Sequence, residues 1–261
     1  MLGSLACALL TLSGGAAATA ASEPVRHEVH IEGQGPATVI FESGLGDTFE
    51  AWKAVQGSIA AHCARTVSYN RAGYPGSSPA RGTRDAQTVV SELRGELQHR
   101  GIAPPYVLVG HSLGGLYMQY FARHYPDEVA GLVLVDSTHW DQQLRMGASL
   151  PDPAKTRGTV MLFMPWIARR EFTDSALAGE QVHESPHARR LPTIVLSSTG
   201  ALRGETPALR TEAARLQEDI VADFPGARHV RVDGSGHYIQ VDKPAVVIDS
   251  VRELAGCDAR S

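Results

Sequence analysis

The segment Gly110-His111-Ser112-Leu113-Gly114-Gly115 constrains this chain more than any other. Before it stands the apolar run Tyr106 to Val109, which reads as a buried strand. After it, Ser112 to Tyr125 reads as a helix that Pro126 stops. A strand that gives way to a helix in so few residues needs a very tight turn, and glycines stand on both sides of Ser112. The residue at the apex is then held at a strained backbone angle, its side chain lifted clear of the sheet and close to the free N–H groups of the helix.

The same punctuation runs along the rest of the chain. Short apolar segments at Thr38 to Phe41, Thr66 to Tyr69, Ala130 to Val135, Thr193 to Leu196 and His229 to Val232 read as strands. Amphipathic stretches at Phe49 to Ala61, Asp85 to Arg100, Thr206 to Ala222 and Pro244 to Leu254 read as helices. Val25 to Ile31 alternates and reads as an edge strand or hairpin. The expected fold class is α/β, with a mostly parallel central sheet flanked by helices. Residues 137–190 lose this rhythm and hold Pro151, Pro153, Pro165 and Pro186.

A net charge of -4 over 261 residues gives no electrostatic basis for binding nucleic acid. No internal apolar run reaches the about 18 residues that a membrane span needs. Residues 1–22 carry no charged side chain, Leu5 to Leu12 forms a short apolar core, and Ala18-Thr19-Ala20 fits a cleavage site. This reads as a signal peptide over 1–22, followed by one domain over 23–261 in a secreted or periplasmic protein, although no Lys or Arg precedes the apolar core. Cys63 and Cys257 would then be the remaining cysteines and a candidate disulfide.

Gly110-x-Ser112-x-Gly114 is also the spacing of a nucleophile elbow, and Gly234-Ser235-Gly236-His237 follows the last strand. With these motifs the chain resembles the α/β-hydrolase superfamily over residues 25 to about 256. Ser43-Gly44-Leu45-Gly46 looks like the family's oxyanion loop, with Ser43-Gly44 where the family often has His-Gly. Tyr69-Asn70-Arg71-Ala72-Gly73-Tyr74-Pro75-Gly76-Ser77 looks like its loop after the next strand.

The resemblance implies that Ser112 attacks an acyl carbonyl, that His237 takes and returns its proton, and that the Leu45 and Leu113 N–H groups hold the oxyanion. His111 is expected to be structural or to edge the site, and His139 to line a pocket. The family usually takes its acid from the loop after Thr193 to Leu196, but no carboxylate occurs there before Glu205. Asp136 ends the preceding strand and is favoured as the acid, with Glu205 and Asp141 as alternatives.

The fold usually inserts a helical lid where residues 137–190 lie. Within it Val160 to Ile167 includes Phe163 and Trp166, either lining a substrate pocket or packing the lid. The resemblance also places the helix over Phe49 to Ala61 beside the last helix, which favours a Cys63–Cys257 bridge. His183-Glu184-Ser185-Pro186-His187 matches a zinc-protease motif by letter, but Pro186 breaks the helix that motif needs, so no metal is expected. The implied activity is that of a cofactor-free serine hydrolase acting on a small-molecule ester, thioester or amide. A perhydrolase or acyltransferase relative and a catalytically silent binding protein are the alternatives. Ser112 argues against relatives that use an Asp nucleophile, such as dehalogenases and epoxide hydrolases.

Overall fold

Seven strands pair into one sheet in the computed structural model of the protein, which describes residues 25–62, 64–148, 161–200 and 205–257. The strands are β1 (Glu28–Glu32), β2 (Ala37–Glu42), β3 (Ala64–Asn70), β4 (Tyr106–His111), β5 (Val129–Val135), β6 (Thr193–Ser198) and β7 (Arg228–Val232). Their spatial order is β1-β3-β2-β4-β5-β6-β7. β1 runs antiparallel to β3 at the edge, and the remaining pairs are parallel.

Alternation of side chains along each strand divides the apolar residues between two layers. Ile40, Leu108, Leu132 and Leu134 face one side. There they meet α2 (Ala86–His99), α3 (Leu113–His124), α5 (Trp166–His183) and α6 (Pro207–Asp223). Val39, Phe41, Val107, Val109, Val133 and Val135 face the other. This second layer is covered by α1 (Lys53–Ala60), the short α7 (Ile239–Asp242) and α8 (Pro244–Leu254), with α1 packed on α8. Asp85, expected to open α2, is its N-cap, accepting the Thr88 N–H at 2.8 Å.

The stretch after β5 holds helices where the residue pattern alone shows no rhythm. It contains α4 (Gln142–Ala148) and the 18-residue helix α5. The buried positions of α5 are Ile167, Ala168, Glu171, Ser175, Ala178, Gly179 and Val182. They follow helical spacing, yet most are small or polar, so hydrophobic periodicity alone does not reveal them. Small size serves packing here, because a Cβ at Gly179 would lie 2.2 Å from the Trp140 carbonyl oxygen. α5 ends at His183, whose ring stacks on Trp140 at 4.0 Å, so His183 and His187 share no helix. The expected signal peptide and Cys63 lie outside the described residues, as does the segment 149–160. Among the described residues, no helix is long and apolar enough to cross a membrane.

Candidate active site

Strand register brings the site together. Glu42 of β2 pairs with Gly110 of β4, His111 with Val135 of β5, and Val135 with Leu196 of β6. The carboxyl ends of these strands are therefore level, and the loops beyond them meet at one edge.

At that edge Ser112 takes φ 52°, ψ -122°, a left-handed backbone conformation rare for a residue with a side chain. Its surroundings over-determine it. The Ser112 N–H donates to the Val135 carbonyl at 3.2 Å, and its own carbonyl accepts from Gly115 N–H and Thr138 N–H, each at 2.9 Å. The glycines are required by close approach. A Cβ on Gly110 would lie 2.6 Å from the Gly115 Cα, one on Gly114 would lie 2.4 Å from the Glu42 carbonyl oxygen, and one on Gly115 would strike Ser137.

Asp136, directly after β5, is a second non-glycine residue at positive φ, 43°. Its N–H donates to the Leu196 carbonyl at 2.7 Å, which ties it to the neighbouring strand. Its carboxylate accepts the Ser198 N–H at 2.8 Å and the Ser198 hydroxyl at 3.1 Å. His237 Nδ1 donates to the same carboxylate at 2.7 Å. Burial alone would raise the Asp136 pKa, but His237 and the two Ser198 donors outweigh it and hold the carboxyl below the usual range. A carboxylate only accepts, so it fixes the proton of neutral His237 on Nδ1 and leaves Nε2 as an acceptor.

The loop carrying His237 is held from beneath. Gly236 N–H donates to Asp242 at 2.8 Å, and the fully buried His111 donates from Nε2 to the His237 carbonyl at 3.0 Å. Burial lowers the pKa of His111, against the opposing pull of Asp47. His111 thus supports the loop that carries His237.

Ser112, Asp136 and His237 line a single cavity of about 550 Å³, together with Gln142 and Met146 of α4 and Arg210 of α6. Among the described residues, no hydrogen bond joins the Ser112 and His237 side chains. Leu113 opens α3, where main-chain N–H groups have no partner within the helix. Leu45 lies in the loop after β2, whose carbonyls at Glu42 and Ser43 abut Gly114.

The side chains expected to line a substrate pocket fall elsewhere. Phe163 is 81% exposed and Trp166 55% exposed, and neither is in the lining of the Ser112 cavity. Among the described residues, the wall offered by the inserted segment comes from α4. His139 is buried, its Nδ1 accepting the Asp141 N–H at 3.1 Å, and is likewise not in that lining. Glu205 lines the cavity and faces Arg210 at 3.8 Å, while the carboxylate on His237 is that of Asp136. Ser198 was not singled out from sequence. Its only signal was position: it ends β6, in the Ser197-Ser198-Thr199-Gly200 stretch that holds no carboxylate.

A strained serine beside a histidine–aspartate pair, at the carboxyl edge of a mostly parallel sheet, defines a hydrolase of the α/β class. The model of the alpha/beta hydrolase fold family matches residues 37–190, and the chain belongs to that family. Over 221 residues it is 28% identical to the uncharacterized protein YqjL of Bacillus subtilis, covering 85% of this chain and 84% of that one. It is 31% identical to the pyrethroid hydrolase of Sphingobium wenxiniae over 46% of this chain and 32% of the relative. Among solved structures, the thermophilic esterase of Thermogutta terrifontis superposes with a TM-score of 0.63 at 20% identity, over 88% of this chain and 92% of the esterase.

The glycine contacts give a direct test. Gly114→Ala would push a methyl group into main-chain oxygens, an overpacking that costs about 1–3 kcal/mol or more. Thermal unfolding followed by circular dichroism should show Tm lower by roughly 2–12 °C. An unchanged Tm would contradict the close approach.

Proposed function

We propose that the protein is a serine hydrolase that cleaves a carboxylic ester through an acyl-enzyme on Ser112. The observation that supports this best is the 2.7 Å contact between His237 and Asp136, made in the cavity that Ser112 also lines. In the proposed reaction His237 Nε2 takes the Ser112 proton while Oγ bonds to the substrate carbonyl carbon. The resulting oxyanion is held by the Leu45 and Leu113 N–H groups. It collapses as the bond to the alkoxy group breaks, and His237 hands its proton to the departing alcohol. Water then repeats the sequence on the acyl-enzyme and releases the acid.

The cavity volume suits a small-molecule ester or related acyl compound. Membership of the family and the relative named as a pyrethroid hydrolase support hydrolysis over silent binding. A series of p-nitrophenyl esters of rising acyl length tests the reading. Ser112→Ala should abolish release, and Asp136→Asn should lower kcat by roughly a thousand- to ten-thousand-fold with the fold retained. Release independent of Ser112, or Asp136→Asn turnover near wild type, would refute the assignment.

We further propose that the protein is exported and that Cys63 and Cys257 form a disulfide. The apolar N-terminal segment supports export, and the packing of α1 on α8 supports the bridge because each cysteine lies just past the end of one of those helices. Cys257 is also engaged rather than free. Titration of the unfolded mature protein without reductant should find no free thiol, and two free thiols would exclude the bridge.

A further inference from the structure

We propose that Arg71, Glu171 and Tyr74 are positioning residues that set the Leu45 N–H towards Ser112, so that the inserted helix α5 completes the oxyanion hole. The inference rests on the acyl-transfer reading above. It starts from a cluster that this reading leaves unused. Arg71, in the loop after β3, and Glu171, on α5, are both buried, with side chains 1% and 0% exposed. The guanidinium meets the Glu171 carboxylate through two hydrogen bonds, Nε at 2.6 Å and Nη2 at 2.8 Å. Its remaining donors go to the oxyanion loop. Nη1 donates to the Ser43 carbonyl and to Glu42, each at 2.6 Å, and Nη2 donates to the Gly44 carbonyl at 2.8 Å. Tyr74 closes the frame, donating to Glu171 at 2.6 Å and accepting the Gly46 N–H at 3.0 Å.

These contacts take up the carbonyls of Ser43 and Gly44 and the N–H of Gly46. The amide between Gly44 and Leu45 is trans, so its N–H points opposite to its C=O. Holding the Gly44 carbonyl on the guanidinium therefore turns the Leu45 N–H away from Arg71. The elbow lies against this same loop. A Cβ on Gly114 would sit 2.5 Å from the Ser43 oxygen, and one on Gly44 would sit 2.9 Å from His111 Nδ1. A buried ion pair gains little stability over apolar packing. What this one supplies is a fixed orientation for two backbone carbonyls beside the nucleophile.

Removing Arg71 would leave Glu42 and Glu171 buried without their cation, so the test uses milder changes. Glu171→Gln keeps the side-chain shape and Tyr74→Phe removes a single hydroxyl. For each variant, Tm, kcat and KM on the best p-nitrophenyl ester are measured with the affinity for a trifluoromethyl ketone. That probe adds the Ser112 oxygen to its carbonyl carbon, passes the serine proton to His237, and leaves an oxyanion in the hole. Loss of one oxyanion donor costs about a hundred- to a thousand-fold, so a misaimed donor should lower kcat by roughly 10- to 100-fold. KM should stay within about twofold, and trifluoromethyl ketone affinity should fall in parallel with kcat. If both variants keep wild-type kcat and inhibitor affinity, or if only Tm and KM move, the inference is overturned. A wild-type protein without Ser112-dependent turnover would instead overturn the hydrolase reading, and this inference with it.

Discussion

The site depends on how closely three pieces of backbone approach one another. The end of β4, the first turn of α3 and the loop after β2 meet with no room for a Cβ at Gly110, Gly114 or Gly115. That contact lets Ser112 hold an angle which an isolated chain would not keep. It also sets the two main-chain segments bearing Leu45 and Leu113 beside the serine. The strain is thus borne by packing of the layers, not by the turn alone.

The placement of the Asp136 carboxylate follows from the same sheet. β5 and β6 are neighbours, so a carboxylate at the end of either can reach a histidine delivered after β7. In this chain β5 supplies it as Asp136, and β6 supplies Ser198, which gives that carboxylate a main-chain N–H and a hydroxyl. The outcome for Asp136 is a carboxylate that stays ionised despite burial.

Much of this was legible in the residues. Glycines around Ser112 have a steric cause, so their pattern survives as sequence, and continuous apolar strands mark a sheet covered on both faces. Asp136 was readable because it ends its strand with no intervening residue. Helix α5 was not readable from periodicity, because apart from Ile167 and Val182 it packs through Ala, Gly, Ser and Glu, whose burial leaves no hydrophobic stripe. Phe163 and Trp166, the large apolar residues that drew attention, sit on the surface instead. The Arg71–Glu171 pair joins residues far apart in the chain, and nothing local to either position announces the other.

The central claim concerns a single oxygen, and covalent capture addresses it most directly. Intact protein is incubated with a fluorophosphonate, and the adduct is located by peptide mass spectrometry. One phosphonyl group per chain is expected, on the peptide containing Ser112, and none on Ser112→Ala. No adduct, or one on another residue that persists in the variant, would contradict it.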